Sequence, residues 1–188
     1  MASDFLKDID STWTLFLDRD GVINQRIFGG YVKNTDEFVF LPEVLESIAY
    51  FSSIFSRIIV ITNQQGVGKG IMSETELNQL HKHMSLSISN AGGRVDAVYF
   101  CTELATSPNN CRKPSNFMAQ RALSDFPEIT LSKSIMVGDS ISDIEFGLNS
   151  GMKTVFVSNS NDKLKYIQSD MIIKSLSSLK TMIQQLTH

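Results

Sequence analysis

Five short apolar runs punctuate the chain, and each breaks off in polar or glycine-containing sequence. Residues 13–17 (WTLFL) end abruptly in Asp18-Arg19-Asp20-Gly21. Residues 57–61 (RIIVI) are rich in β-branched side chains and stop at Thr62-Asn63. Residues 95–100, 134–137 and 154–157 repeat the pattern, and the fourth run ends in Gly138-Asp139. Short runs that are mostly apolar, rather than apolar at alternate positions, predict strands buried on both faces. Between them lie segments with apolar residues at helical spacing: 42–55, 73–90, 114–125 and 141–150. Pro42 suits a first helical turn. Ser73 followed three residues later by Glu76 has the form of a capping box, and Gly151 suits a helix C-terminus. Residues 171–173 are expected to add an edge strand and 176–186 a last helix. Buried strands alternating with helices imply an α/β fold with a doubly wound parallel sheet.

That alternation gathers chemistry. In open α/β sheets, ligands bind beyond the carboxyl ends of the strands. Asp18, Asp20, Thr62, Asn63, Lys113 and Asp139 all fall just past a predicted strand or in the loop that follows. Asp18 and Asp20 leave the first strand close together, and two such carboxylates repel unless a cation lies between them or one is protonated. Asp139 and Asp143 supply two more carboxylates. An oxygen cluster without His or Cys suits a hard ion such as magnesium. Thr62 offers a hydroxyl and Lys113 a fixed positive charge for phosphate oxygens. Taken singly, each residue has an ordinary reading: a solvated turn for Asp18, a turn for Thr62-Asn63, a surface side chain for Lys113, a helix-start acid for Asp143. Their joint occurrence, in order and each at a strand's end, is what points to a nucleophile, an acid/base, a metal and phosphate donors.

Bulk properties narrow the field. A chain of 188 residues suits one domain, taken here as 1–188, and 42% hydrophobic residues can fill its core. The net charge is -3 and no run of Lys and Arg appears, so no nucleic-acid partner is expected. No apolar run approaches the roughly 20 residues a membrane span needs. The first residues lack the basic start and apolar stretch of a signal peptide, so a cytoplasmic location is expected. Cys101 and Cys111 are too few for a disulfide scaffold.

Four segments together resemble the haloacid dehalogenase-like phosphatases: Asp18-Arg19-Asp20-Gly21-Val22-Ile23-Asn24, Thr62-Asn63-Gln64, Arg112-Lys113-Pro114, and Gly138-Asp139 with Asp143. The resemblance implies a Rossmann-like fold of that type and a magnesium-dependent phosphatase. It implies that Asp18 attacks phosphorus to form an aspartyl phosphate, and that Asp20 protonates the leaving oxygen and then activates water. Thr62 and Lys113 would hold the phosphoryl oxygens. Magnesium would be bound by Asp18, the Asp20 main-chain carbonyl and Asp139, with Asp143 supporting them. An alkoxide leaving group needs a proton, so Asp20 is expected to have a raised pKa, while metal and Lys113 keep Asp18 ionised.

Neither the interval from Asp20 to Thr62 nor that from Thr62 to Lys113 has room for a separate cap domain, so an open site is expected. Within the superfamily, Thr62-Asn63-Gln64-Gln65-Gly66-Val67-Gly68-Lys69-Gly70 and Cys111-Arg112-Lys113-Pro114 resemble the heptose-bisphosphate phosphatases and the related histidinol-phosphate phosphatases. The former remove the C7 phosphate of D-glycero-D-manno-heptose 1,7-bisphosphate. That resemblance implies substrate contacts from Arg112, from Asn63, Gln64 and Gln65, and from the loop that runs from Arg26 to Tyr31. Ser140 stands where the family often has Lys. These families also carry a four-ligand zinc loop. Here Cys101 and Cys111 remain, but Glu103 and Asn109 occupy the other two positions, so no zinc is expected; the thiols would then be free, or would pair under oxidising conditions because the loop between them is short. Gly66-Val67-Gly68-Lys69-Gly70 lacks two of the positions of a nucleotide-binding loop. His81 and His83, two apart on a helix, point to different faces and are expected to be surface or partly buried. The expected partner is a small phosphorylated sugar, and the expected state a monomer. A histidinol-phosphate phosphatase, a polynucleotide 3′-phosphatase and a noncatalytic protein on the same fold are the alternatives.

Overall fold

A computed structural model describes residues 4–108, 110–158 and 168–186. Its centre is a six-stranded, wholly parallel sheet in the order β3-β2-β1-β4-β5-β6. The strands are β1 (Thr14–Leu17), β2 (Arg57–Asn63), β3 (Ala97–Cys101), β4 (Ser134–Gly138), β5 (Lys153–Val157) and β6 (Met171–Ile173). The helices are α1 (Val44–Ser52), α2 (Gln65–Gly68), α3 (Glu74–Asn90), α4 (Phe117–Asp125), α5 (Ile141–Ser150) and α6 (Leu176–Leu186). The expected doubly wound α/β sheet is thus present. No separate cap domain appears among the described residues, and none of their helices is long and apolar enough to cross a membrane.

The continuous apolar runs are explained by helices on both faces. Leu15 and Leu17 of β1, Ile58 and Val60 of β2, and Ile135 and Val137 of β4 point into one core with α1, α3 and α6. Phe16, Ile59, Ile61 and Met136 alternate to the other face and pack with α4 and α5. With no face left to water, every strand position favours an apolar residue.

Local signals set most boundaries. Ser73 and Glu76 form a reciprocal capping box at the start of α3. Gly151 closes α5 with a φ of 76°, a left-handed conformation that suits glycine. Several details differ from the sequence expectation: Pro42 lies before α1, which starts at Val44 with Glu43 as its N-cap, and α4 starts at Phe117 rather than at 114. β2 continues through Thr62 and Asn63, because both pair with the end of β3 at Phe100 and Cys101. The short helix α2 follows at once, an element the sequence expectation did not include.

Candidate active site

β1 and β4 are neighbours, and the strand order runs away from them in opposite directions, so the switch point of the sheet lies between them. Asp18 follows one and Asp139 the other. Oxygens of Asp18, Asp139 and Asp143 lie within 4.8 Å of one another. Two glycines make that approach possible. A Cβ on Gly21, whose φ is 97°, would lie 2.1 Å from Asp139 Oδ2. A Cβ on Gly138 would lie 2.1 Å from the Asp143 Cβ, so a bare backbone at the end of β4 lets the first turn of α5 press against it.

Lys113 enters this cluster from the loop between β3 and α4. Its Nζ lies 2.7 Å from Asp18 Oδ1, 2.5 Å from Asp143 Oδ1 and 2.8 Å from the Ile61 carbonyl oxygen. The loop is clasped by the end of β2: the Lys113 N–H donates to Asn63 Oδ1 at 2.9 Å, and Asn63 Nδ2 donates to the Lys113 carbonyl at 3.3 Å. Burial pulls the Lys113 pKa down, but Asp143 and Asp18 more than offset it, so the amine is a firm cation. Asp18 behaves differently. Burial pushes it up to about 7, with Asp143 and Asp139 acting in the same direction and Lys113 opposing them. Lys113 opposes the rise without cancelling it, which leaves the metal its share in the expected ionisation of Asp18. Burial also raises Asp139, which Arg26 opposes and Asp143 reinforces. Three like charges crowded in this way call for a further cation.

Asp20 lies in a different environment. Arg19 Nη2 donates to both of its oxygens, at 3.0 and 2.9 Å. Asn24 Nδ2 donates to Oδ1 at 2.9 Å and Gln64 Nε2 to Oδ2 at 2.8 Å. Burial alone would raise its pKa, but Arg19 and these donors win, and the carboxyl is held below its ordinary value. The expected raised pKa is thus corrected: four donated hydrogen bonds stabilise the ionised form.

The catalytic cluster lines a cavity of about 430 Å³, together with Arg26, Tyr31, Gln65, Lys69 and Arg112. Four basic side chains, those of Arg26, Lys69, Arg112 and Lys113, border it, which suits an anionic ligand. Phe28, on the loop between Arg26 and Tyr31, is 84% exposed at the cavity's edge. The sequence groups Arg26, Asn63, Gln64 and Gln65 as substrate contacts, and the structure distinguishes them. Arg26 Nη1 pairs with both oxygens of Asp139, at 3.1 and 3.2 Å. Asn63 is engaged by the Lys113 backbone, and Gln64 is buried between Asp20 and Thr62 Oγ1. Gln65 Oε1 accepts from the Ala105 N–H at 3.3 Å. Arg112 Nη1 is 3.4 Å from the Glu103 carbonyl, and its guanidinium remains at the cavity. Lys69 Nζ lies 5.6 Å from the centre of the Tyr31 ring.

Cys101 and Cys111 are bonded to each other, the oxidised of the two expected states rather than the free thiols. Glu103 accepts the Cys111 N–H at 2.7 Å and brings an oxygen near both sulfurs. Asn109 lies outside the described residues. His83 is exposed, as expected, but His81 is buried, with Nε2 3.0 Å from Arg19 Nη1. Burial and the Arg19 charge hold the His81 imidazole neutral, its pKa lowered to about 3. Arg19, Asn24 and His81 are the site residues that sequence reasoning missed. The one available signal was alternation after a strand, which turns Arg19 away from the side that Asp18 and Asp20 share.

A parallel sheet that gathers carboxylates and a buried lysine at its switch point is a Rossmann-like fold with a charged site, and comparison places its family. A family model described as HAD-hydrolase-like matches residues 110–179. The D-glycero-alpha-D-manno-heptose-1,7-bisphosphate 7-phosphatase of Mycobacterium tuberculosis is 37% identical over 137 residues, 73% of this chain and 72% of that protein. The D-glycero-D-manno-heptose-1,7-bisphosphate 7-phosphatase of Chlorobaculum tepidum is 32% identical over 160 residues, 79% of this chain and 80% of that protein. The crystal structure of D,D-heptose 1,7-bisphosphate phosphatase from B. bronchiseptica, complexed with magnesium and phosphate, superposes with a TM-score of 0.83 at 27% identity. That match covers 92% of this chain and 98% of the other. The chain belongs to the haloacid dehalogenase-like hydrolases, and the relatives named here are heptose-bisphosphate phosphatases.

Proposed function

We propose that this protein is a magnesium-dependent phosphatase that carries the phosphoryl group on Asp18 and removes the C7 phosphate of D-glycero-D-manno-heptose 1,7-bisphosphate. The observation that carries the reading is the Asp18–Lys113–Asp143 cluster, joined to Asp139 and opening on a cavity with a basic border. The donor set fits magnesium: three carboxylates supply oxygens within 4.8 Å and no nitrogen or sulfur ligand intrudes. Asp18, Asp139 and the Asp20 carbonyl would hold the ion, with Asp143 behind them. When bound, magnesium supplies positive charge that binds phosphoryl oxygens and favours the ionised form of Asp18.

The residues of the chain do the rest. A carboxylate oxygen of Asp18 forms a bond to phosphorus as the bond to the sugar oxygen breaks, and Asp20 gives that oxygen a proton. Asp20 then takes a proton from water as the water oxygen attacks the aspartyl phosphate, releasing inorganic phosphate and restoring Asp18. Lys113 and the Thr62 hydroxyl hold the phosphoryl oxygens, whose charge is spread over three atoms in the transition state. The four hydrogen bonds that Arg19, Asn24 and Gln64 donate to Asp20 suit its role as a base. For the acid half-reaction the leaving oxygen takes the place of one of them, so that the carboxyl can carry a proton.

Lys69 and Arg112 favour a bisphosphate, since they add positive charge to the same cavity while Lys113 serves the reacting phosphate. A net charge of -3 disfavours a polynucleotide substrate. A monomer in the cytoplasm is the state we propose for an enzyme with a small soluble substrate. The test is phosphate release, with magnesium, from the heptose bisphosphate, histidinol phosphate and a 3′-phosphorylated oligonucleotide. The bisphosphate should be turned over fastest, and a preference for either other substrate would replace this assignment.

A further inference from the structure

Arg19 is the largest fully buried side chain among the described residues, and none of the proposed steps uses it. A guanidinium withdrawn from water is costly unless its charge and hydrogen bonds are matched. Arg19 finds its partners in opposite directions. Nη2 donates to both Asp20 oxygens, while Nη1 meets His81 Nε2 at 3.0 Å. His81 comes from α3, 62 residues further along the chain. An arginine cannot surrender its proton, so His81 Nε2 is the acceptor and the imidazole is neutral, with its hydrogen on Nδ1. The surroundings offer no obvious substitute: Phe38 lies against the guanidinium, its ring centre 6.0 Å from Cζ, and the Phe100 ring lies 5.3 Å from that of His81.

We propose that Arg19 and His81 are positioning residues for the acid–base step, with His81 fixing the plane of the Arg19 guanidinium and Arg19 fixing the Asp20 carboxylate. The inference rests on the reading of Asp20 as the acid and base. A guanidinium is rigid and planar, so pinning Nη1 at α3 determines where Nη2 points. Arg19 Nε is already buried without a hydrogen-bond partner; without His81, Nη1 would join it, and any rotation that satisfies Nη1 carries Nη2 with it. Asn24 and Gln64 still hold Asp20, so the carboxylate is displaced rather than released. Proton delivery is sensitive to displacements of that size, since misplacing a catalytic group by about 1 Å can cost on the order of a hundredfold in rate.

Leaving-group dependence separates this role from a structural one. The value of kcat/KM reports the steps up to departure of the leaving group. An alkyl oxygen needs a proton at that point, and p-nitrophenolate hardly does. The magnesium-loaded enzyme is assayed on an alkyl phosphate that the native protein hydrolyses and on p-nitrophenyl phosphate. His81→Phe keeps a ring but removes the acceptor. It should lower kcat/KM about tenfold on the alkyl ester and no more than about twofold on the aryl ester. His81→Gln restores an acceptor and should recover most of the loss. Arg19→Lys, which keeps a cation beside Asp20 but cannot span it and His81, should show the same selective loss; it carries the test if His81→Phe does not fold. Equal losses on the two esters, no loss, or no recovery in His81→Gln would overturn the proposal. A native protein inactive on every phosphate ester would instead overturn the phosphatase reading.

Discussion

Lys113→Met should unfold the protein more easily, and by an amount that depends on pH. The amine touches Asp18 and Asp143 at 2.7 and 2.5 Å and is almost wholly buried. Methionine fills similar volume but leaves two buried carboxylates facing each other without a cation. Breaking a buried ion pair from one side costs about 3–5 kcal/mol. For a chain of this length that corresponds to a fall in Tm of roughly 6–20 °C. The sign of the pH dependence follows from Asp18, whose folded pKa stands near 7 even beside Lys113, against an ordinary value of 3.8. A carboxyl raised on folding contributes stability that is complete below its unfolded pKa and is lost as pH rises through the folded value. Removing Lys113 raises Asp18 further, so the penalty should be larger at pH 8 than at pH 5, where the group can stay protonated. Urea unfolding of both proteins in EDTA at the two pH values measures it. A penalty below about 1 kcal/mol, typical of an exposed pair, or one equal at both pH values would refute the reasoning.

Three further outcomes are expected. Asp18→Asn should abolish phosphate release while leaving the circular dichroism spectrum unchanged; appreciable turnover by a clean preparation would remove Asp18 from the nucleophile's role. EDTA should stop the native enzyme and magnesium restore it, and magnesium should also lessen the loss of stability as pH rises through 7, because it favours ionised Asp18; full activity after rigorous metal removal would contradict the mechanism. Protein purified without added metal should contain no stoichiometric zinc, since the two sulfurs of the 101–111 loop are bonded to each other and, even reduced, would join only the Glu103 oxygen where structural zinc takes four ligands; elemental analysis finding about one zinc per chain would refute this.

The sheet was legible in the sequence because its strands are covered on both faces. Residues 15–17 and 58–61 are apolar throughout, and a run of that kind can be seen without knowing its neighbours. The capping box at Ser73 and the glycine after α5 were legible because they act within a few residues. The site's outline followed from the same source, since a parallel sheet sends Asp18, Thr62 and Asp139 to one rim whatever the details of packing. What the sequence did not show was how each group is partnered. The glycine-rich segment 65–68 was not legible as helix, and Thr62 and Asn63 joined β2 because β3 extends alongside them. Asp20 was expected to carry a raised pKa, and the opposite holds because Arg19, Asn24 and Gln64 converge on it. His81 gave no sign of its role, because its partner is 62 residues away and on another element. Hydrophobic periodicity records which side of an element faces the core, a property of each segment. Charge state and hydrogen bonding depend on distances of about 3 Å between segments, and only folding brings those groups within reach of one another.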